Sequence, residues 1–215
     1  MAEIKSGFNP CQNPAGLPGR FVLWLMNRRH SQVTDWGLSH VSVGESDTGL
    51  DVGCGGGRTI SKLAQMAIEG KVYGIDPSAQ SVAVSSKVNG KSIDSGRVEV
   101  RQASVAQLPF LDNMFDLVTA VETHFWWPDI PAGMREILRV LKPGGTLVII
   151  AEVYKAANAK LRKMEDVIAR SGLKLLTTDE HRALFESTGY VHVRVFTEPK
   201  KAWICCVGEK LRRPE

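Results

Sequence analysis

The sequence predicts an α/β fold: a Rossmann-like, doubly wound parallel sheet with helices on both faces, closed by one antiparallel strand. Three observations carry that reading. Residues 49–76, GLDVGCGGGRTISKLAQMAIEGKVYGID, run strand, glycine turn, helix, strand, acid, which is one βαβ unit. Short apolar runs alternate with helical periodicity along the rest of the chain. The run FDLVTAV at 115–121 is almost wholly apolar, as a strand covered on both faces must be.

Taken in order, residues 1–19 hold three prolines and three glycines and read as an irregular arm. Phe21–His30 has helical spacing with a basic end at Arg28, Arg29 and His30, and Ser31 is placed to cap a second short helix reaching about Leu38. These pieces form an N-terminal helical extension over 1–44, outside a main domain over 45–215. The first strand is Thr48–Val52. A helix follows from about Thr59 to Glu69, because Ile60, Leu63, Ala64, Ala67 and Ile68 fall on one face, and Gly70 ends it. Lys71–Ile75 is the second strand. Pro77 opens a helix from Ser78 to about Asn89, since proline suits a first helical turn. Arg97–Gln102 alternates as a third strand, and Phe115–Val121 is the fourth. Pro131–Leu141 is helical, and Lys142-Pro143-Gly144-Gly145 is expected to stop it before a fifth strand at Thr146–Ala151. Asn158–Ser171 is helical, with Gly172 as its stop. Thr178 is expected to cap a helix over Asp179–Thr188, whose early acids favour the helix dipole. Tyr190–Thr197 and Ala202–Gly208 alternate as a closing hairpin.

Composition narrows the function classes. With 43% hydrophobic and 23% charged residues the chain is an ordinary globular sequence, and its 215 residues suit one domain with a small appendage. No apolar stretch approaches the ~20 residues that a membrane span needs. The first ten residues lack a basic-then-apolar leader pattern. A net charge of +4, with dispersed lysines and arginines, gives little support for nucleic-acid binding. Cys11, Cys54, Cys205 and Cys206 have neither metal-ligand nor disulfide-framework spacing, so a reducing cytoplasm and no metal are expected.

The glycine turn points to a nucleoside. Gly53, Gly55 and Gly57 let the backbone bend sharply and approach a ligand with no Cβ in the way. The helix beyond offers unpaired N–H groups. An acid at the tip of the second strand, about twenty residues on, is placed to bind both ribose hydroxyls, and Asp76 fills that position. Asp51, beside the turn, would repel a pyrophosphate and suit a cationic ligand.

D-V-G-C-G-G-G at 51–57 closely resembles the first motif of class I S-adenosylmethionine (SAM) dependent methyltransferases. Y-G-I-D-P-S at 73–78 resembles their second motif. R-E-I-L-R-V-L-K-P-G-G-T-L, Arg135 to Leu147, resembles the segment before their fifth strand, and the likeness covers about 45–210 in family order. Leu108–Phe110 and the Lys-Pro-Gly-Gly run match landmarks of the quinone-biosynthesis and related small-molecule branches. The resemblance implies strand order 3-2-1-4-5-7-6. It also implies SAM as cofactor, with S-adenosylhomocysteine (SAH) as product, bound over a G-x-G-x-G turn.

By the same resemblance Gly53, Gly55 and Gly57 hold the methionine part, with Asp51 and Cys54 in that turn. Asp76 takes the ribose, and Pro77 and Ser78 flank the adenine. Family members often carry Gly-Asp-Ala where this chain has Ala103-Ser104-Val105, so Ser104 replaces a carboxylate as partner of the adenine amine. The extension is expected to act as a lid over the acceptor, bringing Trp24, Met26, Asn27, His30 and Trp36.

Ligands of open parallel sheets bind beyond the carboxyl ends of the strands. That places Glu122, His124, Phe125, Trp126 and Trp127 after the fourth strand, and Tyr154 after the fifth, around the reacting atoms. Glu122 is a candidate for the ammonium group of the cofactor. Aromatic rings favour a cationic sulfonium. His124 is the candidate general base, since an imidazole titrates near neutrality. His40, His181 and His192 are expected at the surface. No Asn-Pro-Pro-aromatic or Asp-Pro-Pro-aromatic tetrapeptide follows the fourth strand, which disfavours base-amino methylation of nucleic acids. The expected partner is a small-molecule acceptor, and the chain a monomer or homodimer. Two other classes stay open: a SAM-binding protein without turnover, and a nicotinamide-dependent oxidoreductase.

Overall fold

The computed structural model describes residues 31–155 and 174–212. The arm, the helices expected at Phe21–His30 and Asn158–Ser171, and the lid residues Trp24, Met26, Asn27 and His30 lie outside them. The elements are α1 (Ser31–Leu38), β1 (Thr48–Val52), α2 (Arg58–Met66), β2 (Lys71–Asp76), α3 (Ala79–Val88), α4 (Gly90–Asp94) and β3 (Val98–Gln102). They continue with β4 (Phe115–Val121), a 3-10 turn at His124–Trp126, α5 (Ile130–Val140), β5 (Leu141–Ala151), α6 (Thr178–Ser187), β6 (Tyr190–Glu198) and β7 (Trp203–Lys210).

All seven strands form one sheet in the order β3-β2-β1-β4-β5-β7-β6. The β1–β2, β1–β4, β2–β3 and β4–β5 pairs are parallel, while β7 runs antiparallel to both β5 and β6. The order reverses between β1 and β4, which opens a crevice beyond their carboxyl ends, as in other doubly wound sheets. Alternation along the strands feeds two apolar layers. Leu50, Val52, Phe115, Val118, Ile137, Leu147 and Ile149 share one layer. Ile60, Leu63, Val72, Leu117, Val148 and Ile150 share the other, where α1 adds Val33 and Leu38.

Four element boundaries differ from expectation, each for a local reason. The helix after the glycine turn stops at Met66, where Ala67 leaves helical geometry. A short additional helix, α4, follows Asn89. Lys142-Pro143-Gly144-Gly145 lies inside β5, opposite a register shift between Phe115 and Leu117, with Gly144 at φ +83° absorbing the bend. The cap of α6 is Thr177, one residue earlier than expected. Thr177 accepts from the Glu180 amide at 3.1 Å, and the Glu180 carboxylate accepts from the Thr177 amide at 2.7 Å. Among the described residues no helix is long and apolar enough to cross a membrane, and no group of three or more His, Cys, Asp or Glu could hold a metal ion.

Candidate active site

The crevice has a volume of about 310 Å3. Its floor is the turn between β1 and α2. The Gly53 and Cys54 amides both donate to the Ile75 carbonyl, at 2.8 and 2.9 Å, which ties the turn to the tip of β2. Gly53 has φ +75°, and a Cβ there would stand 2.2 Å from Thr123 Oγ1, so no larger residue fits without moving the wall. Gly57 does a different job from the one expected. It caps α2 at φ +80°, packs against Ser85 and Asn89, and does not line the crevice.

Asp76 ends β2 and faces the crevice, 8% exposed. One carboxylate oxygen accepts from the Gly55 amide and the other from the Ser78 amide, both at 2.9 Å. Burial raises its pKa, and those amides partly offset the rise. Asp51 lies deeper, 2% exposed, on β1 opposite Thr119 of β4. The Thr119 hydroxyl donates to it at 2.7 Å. Burial pushes the Asp51 pKa up to about 7, and the Asp76 charge adds to the rise. Burial and the same two acids hold the Cys54 thiol far above its usual range, so it is not a thiolate.

Pro77, Ser104 and Val105 line one side. The Ser104 hydroxyl already accepts from the Ala106 amide at 3.2 Å, which holds the short turn that carries it. The opposite wall is 121–123 and 126–128. Glu122 stands at φ +57°, a left-handed conformation that a non-glycine side chain adopts at a cost of about 1–3 kcal/mol. Its carboxylate accepts from the Glu152 amide, which joins the ends of β4 and β5.

Of the expected acceptor-facing residues, Trp126 lines the crevice. His124, Phe125 and Tyr154 do not. The 3-10 turn swings the His124 and Phe125 side chains into the protein, 2% and 5% exposed, and Tyr154 packs on the core. Trp127, the third aromatic expected there, lines the crevice as well. The His124 ring meets His181, and burial drives its pKa down to about 3. His181 is therefore a core residue, 1% exposed, because α6 packs that face inward. His40 is half-buried and stacks on Phe196 with ring centroids 4.1 Å apart, while His192 is exposed as expected. Trp36 packs against Trp203 and His40, away from the crevice, so among the expected lid residues it is misplaced.

The sequence reading missed the contribution of α1 and α2. Ser31, Thr34, Arg58 and Thr59 all line the crevice. Arg58 Nε donates to Ser31 Oγ at 3.1 Å, and Lys62 pairs with Asp35, which pins α1 onto α2. A basic residue directly after the glycine run was the available signal. Among the described residues the crevice offers a glycine floor, three carboxylates, two indoles and one guanidinium at the rim. Acids with aromatic rings and backbone amides suit a flat base, a diol and a cationic centre in one ligand.

Comparison with known proteins agrees with that chemistry. A family model described as a methyltransferase domain matches residues 50–149. The 2-phytyl-1,4-naphtoquinone methyltransferase of Nostoc punctiforme is 29% identical over 149 residues, covering 69% of this chain and 64% of the relative. The chain thus spans slightly less than two thirds of that relative's length. A chain from the complex of the Haloferax volcanii Trm112 methyltransferase activator with a methyltransferase superposes with TM-score 0.79 at 20% identity, covering 91% of this chain and 96% of that one. Phosphoethanolamine N-methyltransferase 2 of Haemonchus contortus, solved with phosphomonomethylethanolamine and SAH, gives 0.76 at 16% identity, covering 90% of this chain and 58% of that one. Residues 50–149 thus match a methyltransferase domain, and the sheet order, glycine turn and strand-tip acid are those that a resemblance to class I SAM-dependent methyltransferases implies.

Proposed function

We propose that the chain transfers a methyl group from SAM to a small-molecule acceptor. The observation that carries this is Asp76, held by two backbone amides at the mouth of an open crevice whose floor is a glycine turn. The residues fit the cofactor: among the described residues the glycine turn is left open to the crevice, and the buried acid Asp51 lines it. Gly53 and Gly55 receive the methionine part, Asp76 the ribose, and Pro77, Ser104 and Val105 the adenine. Asp51 and Glu122 face the ammonium and sulfonium side. Bound there, SAM would supply an electrophilic methyl group to an acceptor lone pair, with sulfur keeping the electron pair of the C–S bond.

The chain's own contribution is alignment and exclusion of water, which can supply several kcal/mol. A general base is not assigned to His124, whose ring lies behind the wall. The paired indoles of Trp126 and Trp127 suit a flat, apolar acceptor, in keeping with the naphtoquinone named for the Nostoc relative. The buried free thiols of Cys54, Cys205 and Cys206 support a reducing, cytoplasmic setting.

Incubating the protein with methyl-deuterated SAM and a cell extract tests the reading by mass spectrometry. A labelled small molecule is expected. SAH binding with no labelled product in any fraction would favour a SAM-binding protein without turnover.

A further inference from the structure

Thr177 does more than cap α6. Its carbonyl accepts from the His181 amide at 2.9 Å and from His181 Nδ1 at 2.8 Å. A carbonyl oxygen only accepts, so Nδ1 carries the His181 proton. Burial keeps this ring neutral, which leaves its Nε2 bare. His124 Nε2 stands 3.2 Å away and must therefore donate. His124 Nδ1 is then a bare lone pair, buried and without a hydrogen-bond partner among the described residues. The two rings are 2% and 1% exposed, so one proton arrangement satisfies the contact.

The turn that carries His124 makes two backbone hydrogen bonds of its own. Trp126 N donates to Thr123 O at 3.0 Å, and Trp127 N to His124 O at 3.2 Å. It follows the left-handed Glu122, and Thr123 packs directly on Gly53 of the floor.

We propose that His181 is a positioning residue: its single bond from His124 locks the turn His124–Trp126 and thereby sets Thr123 and Trp126 as part of the crevice wall. This rests on the SAM reading of the crevice. His181 touches no reacting atom and acts through His124. Pure packing is the competing account, in which a ring without nitrogens serves as well.

Two variants separate these accounts. His181→Phe keeps an aromatic ring, a somewhat larger one, and removes both nitrogens, while His181→Gln keeps a donor and an acceptor. Calorimetry with SAH is expected to show Kd about tenfold weaker for His181→Phe, as loss of one buried hydrogen bond implies, with His181→Gln within about threefold of wild type. The Trp126 indole resonance should shift in His181→Phe and return in His181→Gln. In the wild-type imidazole 15N spectrum, the protonated nitrogens should be Nδ1 of His181 and Nε2 of His124. His181→Phe binding SAH like wild type with Trp126 unmoved, or the opposite pair of tautomers, would overturn the proposal. If wild type fails to bind SAH, the SAM reading falls; the tautomers and the Trp126 shift still decide the role of His181.

Discussion

Asp51→Asn should stabilise the protein while damaging the site, and the effect should depend on pH. The Asp51 carboxyl is buried and held at about 7, against an ordinary 3.8. Folded, it keeps its proton more tightly than when unfolded. Its contribution to stability is therefore full below about 3.8 and is lost as pH rises toward 7. The gap is about three pKa units, and at ~1.4 kcal/mol per unit the ceiling is about 4 kcal/mol. Asparagine stays neutral and can still accept from the Thr119 hydroxyl, but its amide needs a partner, which takes back about 1 kcal/mol. Urea unfolding should thus show Asp51→Asn more stable than wild type by roughly 2–4 kcal/mol at pH 8. At pH 4 the two should be nearly equal. His124, whose pKa is driven down to about 3, destabilises both proteins alike as pH falls, so it cancels in the difference. The companion effect is on SAM. Wild-type affinity should fall about tenfold per unit below pH 7, as the acid must ionise to meet the cation, and Asp51→Asn should lack that slope. A stability difference that is the same at pH 4 and pH 8 would refute the reasoning.

Asp76→Ala should weaken SAH binding by about 1–3 kcal/mol, from lost charge-assisted hydrogen bonds, as read by calorimetry. Asp76→Asn should lose less, because its side-chain oxygen can still accept from one of the two turn amides. Equal affinity in all three proteins would detach Asp76 from the ligand. Gly53→Ala should lower stability by about 1–3 kcal/mol in urea, since it meets both a φ of +75° and a 2.2 Å approach to Thr123. Pairing it with Thr123→Ser should leave the loss in place, because the Oγ contact and the φ penalty both persist.

The fold was legible because its signals are local and periodic. The strand–turn–helix–strand unit at 49–76 and the apolar run at 115–121 depend only on neighbours in the chain. The sheet order rested on family resemblance, since periodicity does not say which strands pair. Within the site, the strand-tip acid and the glycine floor were legible because both are fixed by where a strand ends. What escaped the sequence depends on rotation within one turn or on partners far apart. Gly57 and Gly53 look alike in sequence, yet one caps a helix and the other lines the crevice. Phe125 turns inward while its neighbours Trp126 and Trp127 line the crevice, because a 3-10 turn redirects consecutive side chains. His124 and His181 are 57 positions apart, and no local pattern announces that they share a proton.

Titrating the wild-type protein with SAH by calorimetry tests the central claim most directly. One molecule per chain should bind, with Kd in the micromolar range, about 8 kcal/mol. No heat up to ~1 mM ligand, the equivalent of affinity weaker than about 4 kcal/mol, would contradict the account.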